Sequence, residues 1–142
     1  MTRASRERSQ SVRIALVVFS GRADLKWLRF LKPGFRHCFA VLEVRGRWIV
    51  YDPLSNRTEI DIVDGITLTA LVHGYRAQGL RVVPVALPPA RVGPQPLGFY
   101  SCVEAVKRVL GIRAPHVITP WNLYNFLKKC EMCKKFLDMP TN

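Results

Sequence analysis

The sequence predicts an α+β domain in which a small, mostly antiparallel sheet packs against helices. Apolar runs of strand length alternate with glycine and proline up to residue 87, and two helical patterns follow a proline-rich connector. At 142 residues, 49% of them apolar, the chain can bury the core of one domain but not of two. We expect a basic flexible arm at 1–11, a single domain at 12–136 and a tail at 137–142.

The first strand is predicted over residues 14–19, the longest apolar run of the chain. This run is too short to cross a membrane, and Arg22 lies where a signal-peptide cleavage site needs small residues. We therefore expect no membrane span, and a cytoplasmic protein whose cysteines are reduced. Residues 23–31 carry leucines three apart and predict a short amphipathic helix, which Pro33 and Gly34 end.

The centre of the sheet is predicted to be a hairpin. Strands are expected over residues 35–44 and 47–53, because Arg45-Gly46 between them is typical of a two-residue hairpin loop. Residues 58–63 have the composition of a third strand.

The last strand follows a helix. Residues 66–76 predict that helix, which Gly79 ends, and residues 80–87 predict the strand. Pro84 indicates that this strand lies at an edge or contains a bulge, because proline cannot donate to a ladder. Residues 88–98, rich in proline and glycine, are a connector between the sheet and the last helices.

A helix begins at Cys102. Ser101 and Glu104 have the spacing of a capping box, and the apolar face behind them ends at Gly111. At the first helical position, the helix dipole and unpaired N–H groups favour a thiolate on Cys102 and provide donors for an oxyanion. A second helix is predicted over residues 120–135.

The hairpin register brings a histidine next to a carboxylate. With a two-residue loop, Phe39 opposes Asp52, and His37 becomes the diagonal neighbour of Asp52 on the same face. A carboxylate in this position fixes the tautomer of the imidazole and stabilises its cation. Alternation turns Cys38 to the opposite face, so we expect Cys38 in the core.

Each of these residues also has an ordinary structural explanation. A cysteine commonly packs as a small hydrophobe, and histidine–carboxylate pairs are commonly structural. The combination of Cys102 with His37 and Asp52 is what indicates a nucleophile, a base and an orienting residue.

This order of residues resembles the circularly permuted papain-like amidases, which include the NlpC-type cell-wall peptidases and the lecithin retinol acyltransferases. The likeness covers roughly residues 35–127 and extends to small bacteriophage-encoded proteins. The chain departs from the family at Cys38 and Phe39, where small residues commonly follow the histidine, and in having aspartate as the orienting acid. Four stretches carry the likeness: Phe35-Arg36-His37-Cys38-Phe39-Ala40-Val41, Trp48-Ile49-Val50-Tyr51-Asp52-Pro53, Tyr100-Ser101-Cys102-Val103-Glu104-Ala105-Val106 and Ile118-Thr119-Pro120-Trp121-Asn122-Leu123-Tyr124.

The resemblance implies a cysteine peptidase or amidase that cleaves an amide or isopeptide bond, for which peptidoglycan-derived peptides are candidate substrates. Cys102 is then the nucleophile, His37 the general base and acid, and Asp52 the orienting residue. The N–H of Cys102 helps to hold the oxyanion, with the Tyr100 hydroxyl as a weaker candidate and Ser101 in support. No cofactor is implied. The expected location is the cytoplasm of a bacterial host, or a virion.

The net charge of +12 leaves a second interpretation open. Basic residues exceed acidic ones by 8 in residues 1–50 and by 4 in residues 101–142. The same scaffold without activity would then be a basic module that binds nucleic acid or an acidic partner. An acyltransferase with the same three residues is a further alternative, which differs only in the acceptor.

A metal site is not expected. Cys130 and Cys133 form one C-x-x-C pair, and a structural zinc site would need two more ligands. Cys38, His73 and His116 are the conceivable recruits, and both histidines are expected at the surface. The tryptophans lie in apolar patterns and are expected in the core or lining a pocket rather than stacked on bases: Trp27, Trp48 and Trp121.

Overall fold

A computed structural model describes residues 13–22, 26–87 and 100–130, without the side chains of Trp27 and Leu28. The expected arm, connector and tail therefore lie outside the described residues. So do Cys133, the start of the helix expected at 23–31 and the end of the helix expected at 120–135.

Five strands of the described residues form one sheet, in which every neighbouring pair is antiparallel. The order of the strands is β4-β3-β2-β1-β5, so the strand that contains Pro84 lies at an edge, as predicted. The strands are β1 (Arg13–Ser20), β2 (His37–Val44), β3 (Arg47–Pro53), β4 (Thr58–Val63) and β5 (Arg81–Leu87).

Within the part of the chain that the structure describes, three α-helices accompany the sheet: α1 (Leu68–Ala77), α2 (Cys102–Leu110) and α3 (Pro120–Lys129). A hydroxyl side chain caps the start of each one, from Thr67, Ser101 and Thr119 respectively. Within the described residues, no helix is long and apolar enough to cross a membrane.

Two local expectations are corrected by the structure. Residues Lys26–Phe30 form a 3₁₀ helix rather than an α-helix. The capping box at the start of α2 is one-sided, because the Glu104 carboxylate turns to Lys107 and Arg108 while Ser101 accepts the N–H of Glu104. The reciprocal box forms instead at the start of α3.

Helices cover both faces of the sheet. Side chains alternate along β1, so that Val17 and Phe19 face α2 and α3, whereas Leu16 and Val18 share a second cluster with Leu71 of α1. Burial on both faces explains why β1 is apolar at nearly every position instead of alternating.

The hairpin between β2 and β3 has the predicted loop. Arg45 and Gly46 both have positive φ, at 54° and 78°, as a type I′ turn requires. The ladder then pairs Val44 with Arg47 and continues to Ala40 and Tyr51, which is the register used in the sequence analysis.

A buried lysine fixes the loop between α2 and α3. Lys107 Nζ donates to the carbonyls of Ala114 at 3.0 Å and Val117 at 2.9 Å, and it lies 2.8 Å from Glu104 Oε2. Its side chain is only 5% exposed. Because Lys107 satisfies these carbonyls, the loop is tied to the same helix that begins at Cys102.

Candidate active site

The predicted histidine–aspartate pair forms at the open end of the β2–β3 hairpin. His37 Nε2 lies 2.6 Å from Asp52 Oδ1, and the two side chains are 11% and 24% exposed. This contact confirms the diagonal relation that the two-residue loop predicted. A hydrogen bond between ionisable groups at this distance fixes the orientation of the imidazole ring.

Cys102 lies at the first position of α2, half-buried beside the first residues of β2. Its thiol lies close enough to His37 and Cys38 for hydrogen bonding from both residues to shift its pKa. Because Asp52 engages Nε2 of His37, Nδ1 is the ring nitrogen that remains for the sulfur. The structure therefore brings together the three predicted residues in the order Asp52, His37, Cys102.

The charges of these side chains are strongly coupled. Hydrogen bonding from Cys38, together with the hydrogen bond and charge of His37, lowers the pKa of Cys102 from 9.0 to about 5, against the opposing effect of burial. Burial by itself lowers the pKa of His37, but hydrogen bonds and negative charge from Asp52 and Cys102 outweigh it and raise the pKa from 6.5 to about 9. Between these two values, the pair exists as a thiolate and an imidazolium.

Cys38 is a core residue, as predicted, but it also belongs to the site. It is fully buried in the cluster against which Cys102 packs. Burial and the contact with Cys102 raise the pKa of Cys38 well above its ordinary value, so it remains a thiol beside the thiolate. This contact was not predicted from the sequence, although Cys38 departs from the pattern of the family that the chain resembles.

Aromatic contacts form at His37 and at Phe35, two positions before it. The ring of Phe39 stacks on His37 at 6.5 Å, and Tyr75 of α1 lies edge-on to Phe39 at 5.6 Å. On the other face, Phe35 contacts Trp121 at 4.8 Å and Tyr124 at 4.9 Å. The first turn of α3, through Trp121 and Tyr124, therefore packs against Phe35, which lies two positions before His37.

Two of the residues predicted to serve the oxyanion, Ser101 and Cys102, lie at the start of α2. The Ser101 hydroxyl accepts the N–H of Glu104, and the Ser101 carbonyl accepts that of Ala105. In the described part of the chain, the N–H of Cys102 has no hydrogen-bond partner and remains available as a donor.

Tyr100 is 62% exposed, and its hydroxyl lies 3.1 Å from the hydroxyl of Tyr51. Burial and this hydrogen bond raise the pKa of Tyr51 to about 12, so the Tyr51 hydroxyl stays protonated at neutral pH. The Tyr100 hydroxyl is therefore engaged with Tyr51, and its part in holding an oxyanion stays a prediction.

The remaining candidates lie away from this site. His73 and His116 are exposed, as expected, and Trp48 is buried with its N–H donated to the carbonyl of Ile66. A cavity of about 360 Å³ is lined by residues that include His116 and Cys130, and it contains none of the three central residues. Within the described residues, no group of three or more His, Cys, Asp or Glu side chains is placed to hold a metal ion.

Comparisons with protein-family models, with curated proteins and with solved structures found no match for this chain. The functional assignment therefore depends on the geometry and electrostatics of the site, together with the resemblance carried by its motifs.

Proposed function

We propose that the protein is a papain-like cysteine hydrolase, a peptidase or amidase that acts through a thioester on Cys102. The observation that carries this proposal is the continuous set of contacts from Asp52 through His37 to Cys102 at the start of a helix. A thiolate below neutral pH beside an oriented imidazolium is the resting state of a nucleophilic cysteine.

The first half-reaction forms the thioester. The Cys102 thiolate attacks the carbonyl carbon of the amide, and a sulfur–carbon bond forms as the oxygen becomes an oxyanion near the N–H of Cys102. His37, as imidazolium, gives its proton to the leaving nitrogen, and the carbon–nitrogen bond breaks. The products of this step are a thioester, a free amine and a neutral His37.

Water completes the reaction. Neutral His37 accepts a proton from water, and the resulting hydroxide attacks the thioester carbonyl. The carbon–sulfur bond breaks, and Cys102 leaves as a thiolate next to the restored imidazolium. Asp52 keeps the ring oriented throughout and favours its cationic form.

The ionisations set the pH range of this activity. The active form needs Cys102 deprotonated, which requires a pH above about 5, and His37 protonated, which requires a pH below about 9. We expect kcat/KM for a peptide or ester substrate to follow a bell-shaped curve with limbs near these two values.

The experiment that tests the proposal uses p-nitrophenyl acetate, a small activated ester that requires no knowledge of the natural substrate. We expect release of p-nitrophenol, with an acetyl group on Cys102 that peptide mass spectrometry locates during turnover. Cys102→Ala should abolish both, and His37→Ala should reduce the rate of acylation at pH 7 by about 100-fold or more.

Cys130→Ala is the matched control, because Cys130 is also half-buried but lies outside the site. This variant should keep the wild-type rate. Acetylation on other cysteines only, or a rate that survives Cys102→Ala, contradicts the proposal. Peptidoglycan-derived peptides can then be screened as natural substrates, with nucleophilic acceptors other than water added to detect acyl transfer.

The net charge of +12 supports the second candidate, a basic module without catalytic activity. This candidate predicts binding to a nucleic acid duplex that weakens steeply with salt and is unchanged in Cys102→Ala. Phosphate contacts are strongest at low salt, on the order of 50 mM. Binding that is undetectable under this condition contradicts the second candidate.

A further inference from the structure

Cys38 occupies a position that the hydrolase mechanism above does not use. Its side chain is fully buried on the face of the sheet that α2 covers, opposite Phe19 in the β1–β2 ladder. Cys102 packs against the same cluster from the first position of α2. Two cysteines from different elements therefore meet at the end of the sheet, and one of them is the candidate nucleophile.

The backbone at Cys38 is also available to the sulfur of Cys102. The β2–β3 ladder ends at Ala40 and Tyr51, two pairing steps before Cys38. The residue that continues the register opposite Cys38 is Pro53, and this pair lies beyond the last residues that the ladder joins. Hydrogen bonding from the thiol and the backbone of Cys38 lowers the pKa of the neighbouring Cys102.

We propose that Cys38 is a positioning residue for the nucleophile, whose S–H and backbone N–H hold the Cys102 sulfur beside His37. This inference rests on the proposed function, since it assigns a role relative to Cys102. Two donors from one residue restrict the sulfur from one side, while the imidazolium faces it from the other. The Cys38 thiol can act as a donor because burial and the negative charge of Cys102 keep it protonated.

If Cys38 positions the sulfur, two substitutions of Cys38 should differ in their effect on the ionisation of Cys102. If Cys38 only fills space in the core, they should not differ. Cys38→Ala keeps the site apolar but removes the side-chain donor, and Cys38→Ser keeps a donor of similar size. We expect Cys38→Ala to raise the midpoint of the Cys102 ionisation by at least about 1 pH unit, so that the thiolate fraction near pH 5 falls several-fold. Cys38→Ser should stay close to the wild-type midpoint.

The measurement is the rate of alkylation of Cys102 by iodoacetamide between about pH 4 and pH 10. This range extends about one pH unit beyond the expected pKa values of Cys102 and His37 on either side. Peptide mass spectrometry follows the reaction of each thiol separately. Cys130→Ala serves as the matched control and should leave the Cys102 profile unchanged. Thermal unfolding of each variant shows whether it is folded under the assay conditions.

A purely structural role would give equal midpoints in wild type and Cys38→Ala, and that result overturns the inference while the proposed function stands. A wild-type midpoint near the free-thiol value of about 8.5 contradicts the proposed function itself and removes this inference with it. The two failures are therefore distinguishable in one set of profiles.

Infrared spectroscopy provides a second measurement if Cys38→Ser does not fold. The S–H stretching band of Cys38, identified by its loss in Cys38→Ala, should lie at lower frequency at pH 7 than at pH 4, where Cys102 is protonated. A band that does not move between these pH values overturns the inference.

Discussion

Asp52→Asn should separate the orientation of His37 from its charge. The substitution preserves the size of the side chain but replaces the carboxylate that lies 2.6 Å from Nε2. The pKa of His37 is about 9, against an ordinary 6.5. This difference corresponds to about a 300-fold shift in the protonation equilibrium, or about 3 kcal/mol.

The size of the expected change follows from the balance of these contributions. Burial remains in the variant and lowers the pKa of His37, while the hydrogen bond to Asp52 is the foremost contribution that raises it. We expect the midpoint of His37 to fall by about 2 pH units. The protonated fraction at pH 8 then falls about tenfold, whereas the fraction at pH 6 changes little.

The assay is a proton NMR titration of the imidazole C–H resonances. The chain has three histidines, and the spectrum of His37→Gln identifies the resonance of His37. Asp61→Asn is the control, because Asp61 is an exposed carboxylate on β4 that makes no hydrogen bond to His37. An unchanged His37 midpoint in a folded Asp52→Asn variant would refute the reasoning.

Two further predictions concern stability. Lys107→Met should lower the free energy of unfolding by about 3 kcal/mol in urea denaturation, because it leaves the Ala114 and Val117 carbonyls and the Glu104 carboxylate without their buried partner. Lys128→Met at an exposed position of α3 should change the free energy by less than about 0.5 kcal/mol, and equal effects of the two substitutions would contradict this assignment. Arg45→Asn should stabilise the protein by about 0.5–1 kcal/mol, because arginine has a φ of 54° in the loop and asparagine tolerates that conformation better. A loss of stability in thermal unfolding would count against a type I′ loop.

The sequence by itself predicted most of the sheet and the pairing of His37 with Asp52. Strand bounds depend on local signals such as Arg45-Gly46 and Pro84, and a two-residue loop fixes the register of every residue in its hairpin. The contact between His37 and Asp52 is local in this sense, since it lies within one hairpin. The same is true of the start of α2, which Ser101 caps.

Only the tertiary structure decided what lies around Cys102. Whether the start of α2 lies beside the start of β2 depends on the packing of helices over the sheet, which no short-range pattern encodes. Alternation places His37 and Cys38 on opposite faces, but at the end of a sheet one sulfur can contact both. The network around Lys107 is likewise a tertiary result, because its acceptors are carbonyls of a loop that folds back on α2. The sequence therefore determined which residue types carry the chemistry, and long-range packing determined which of them interact.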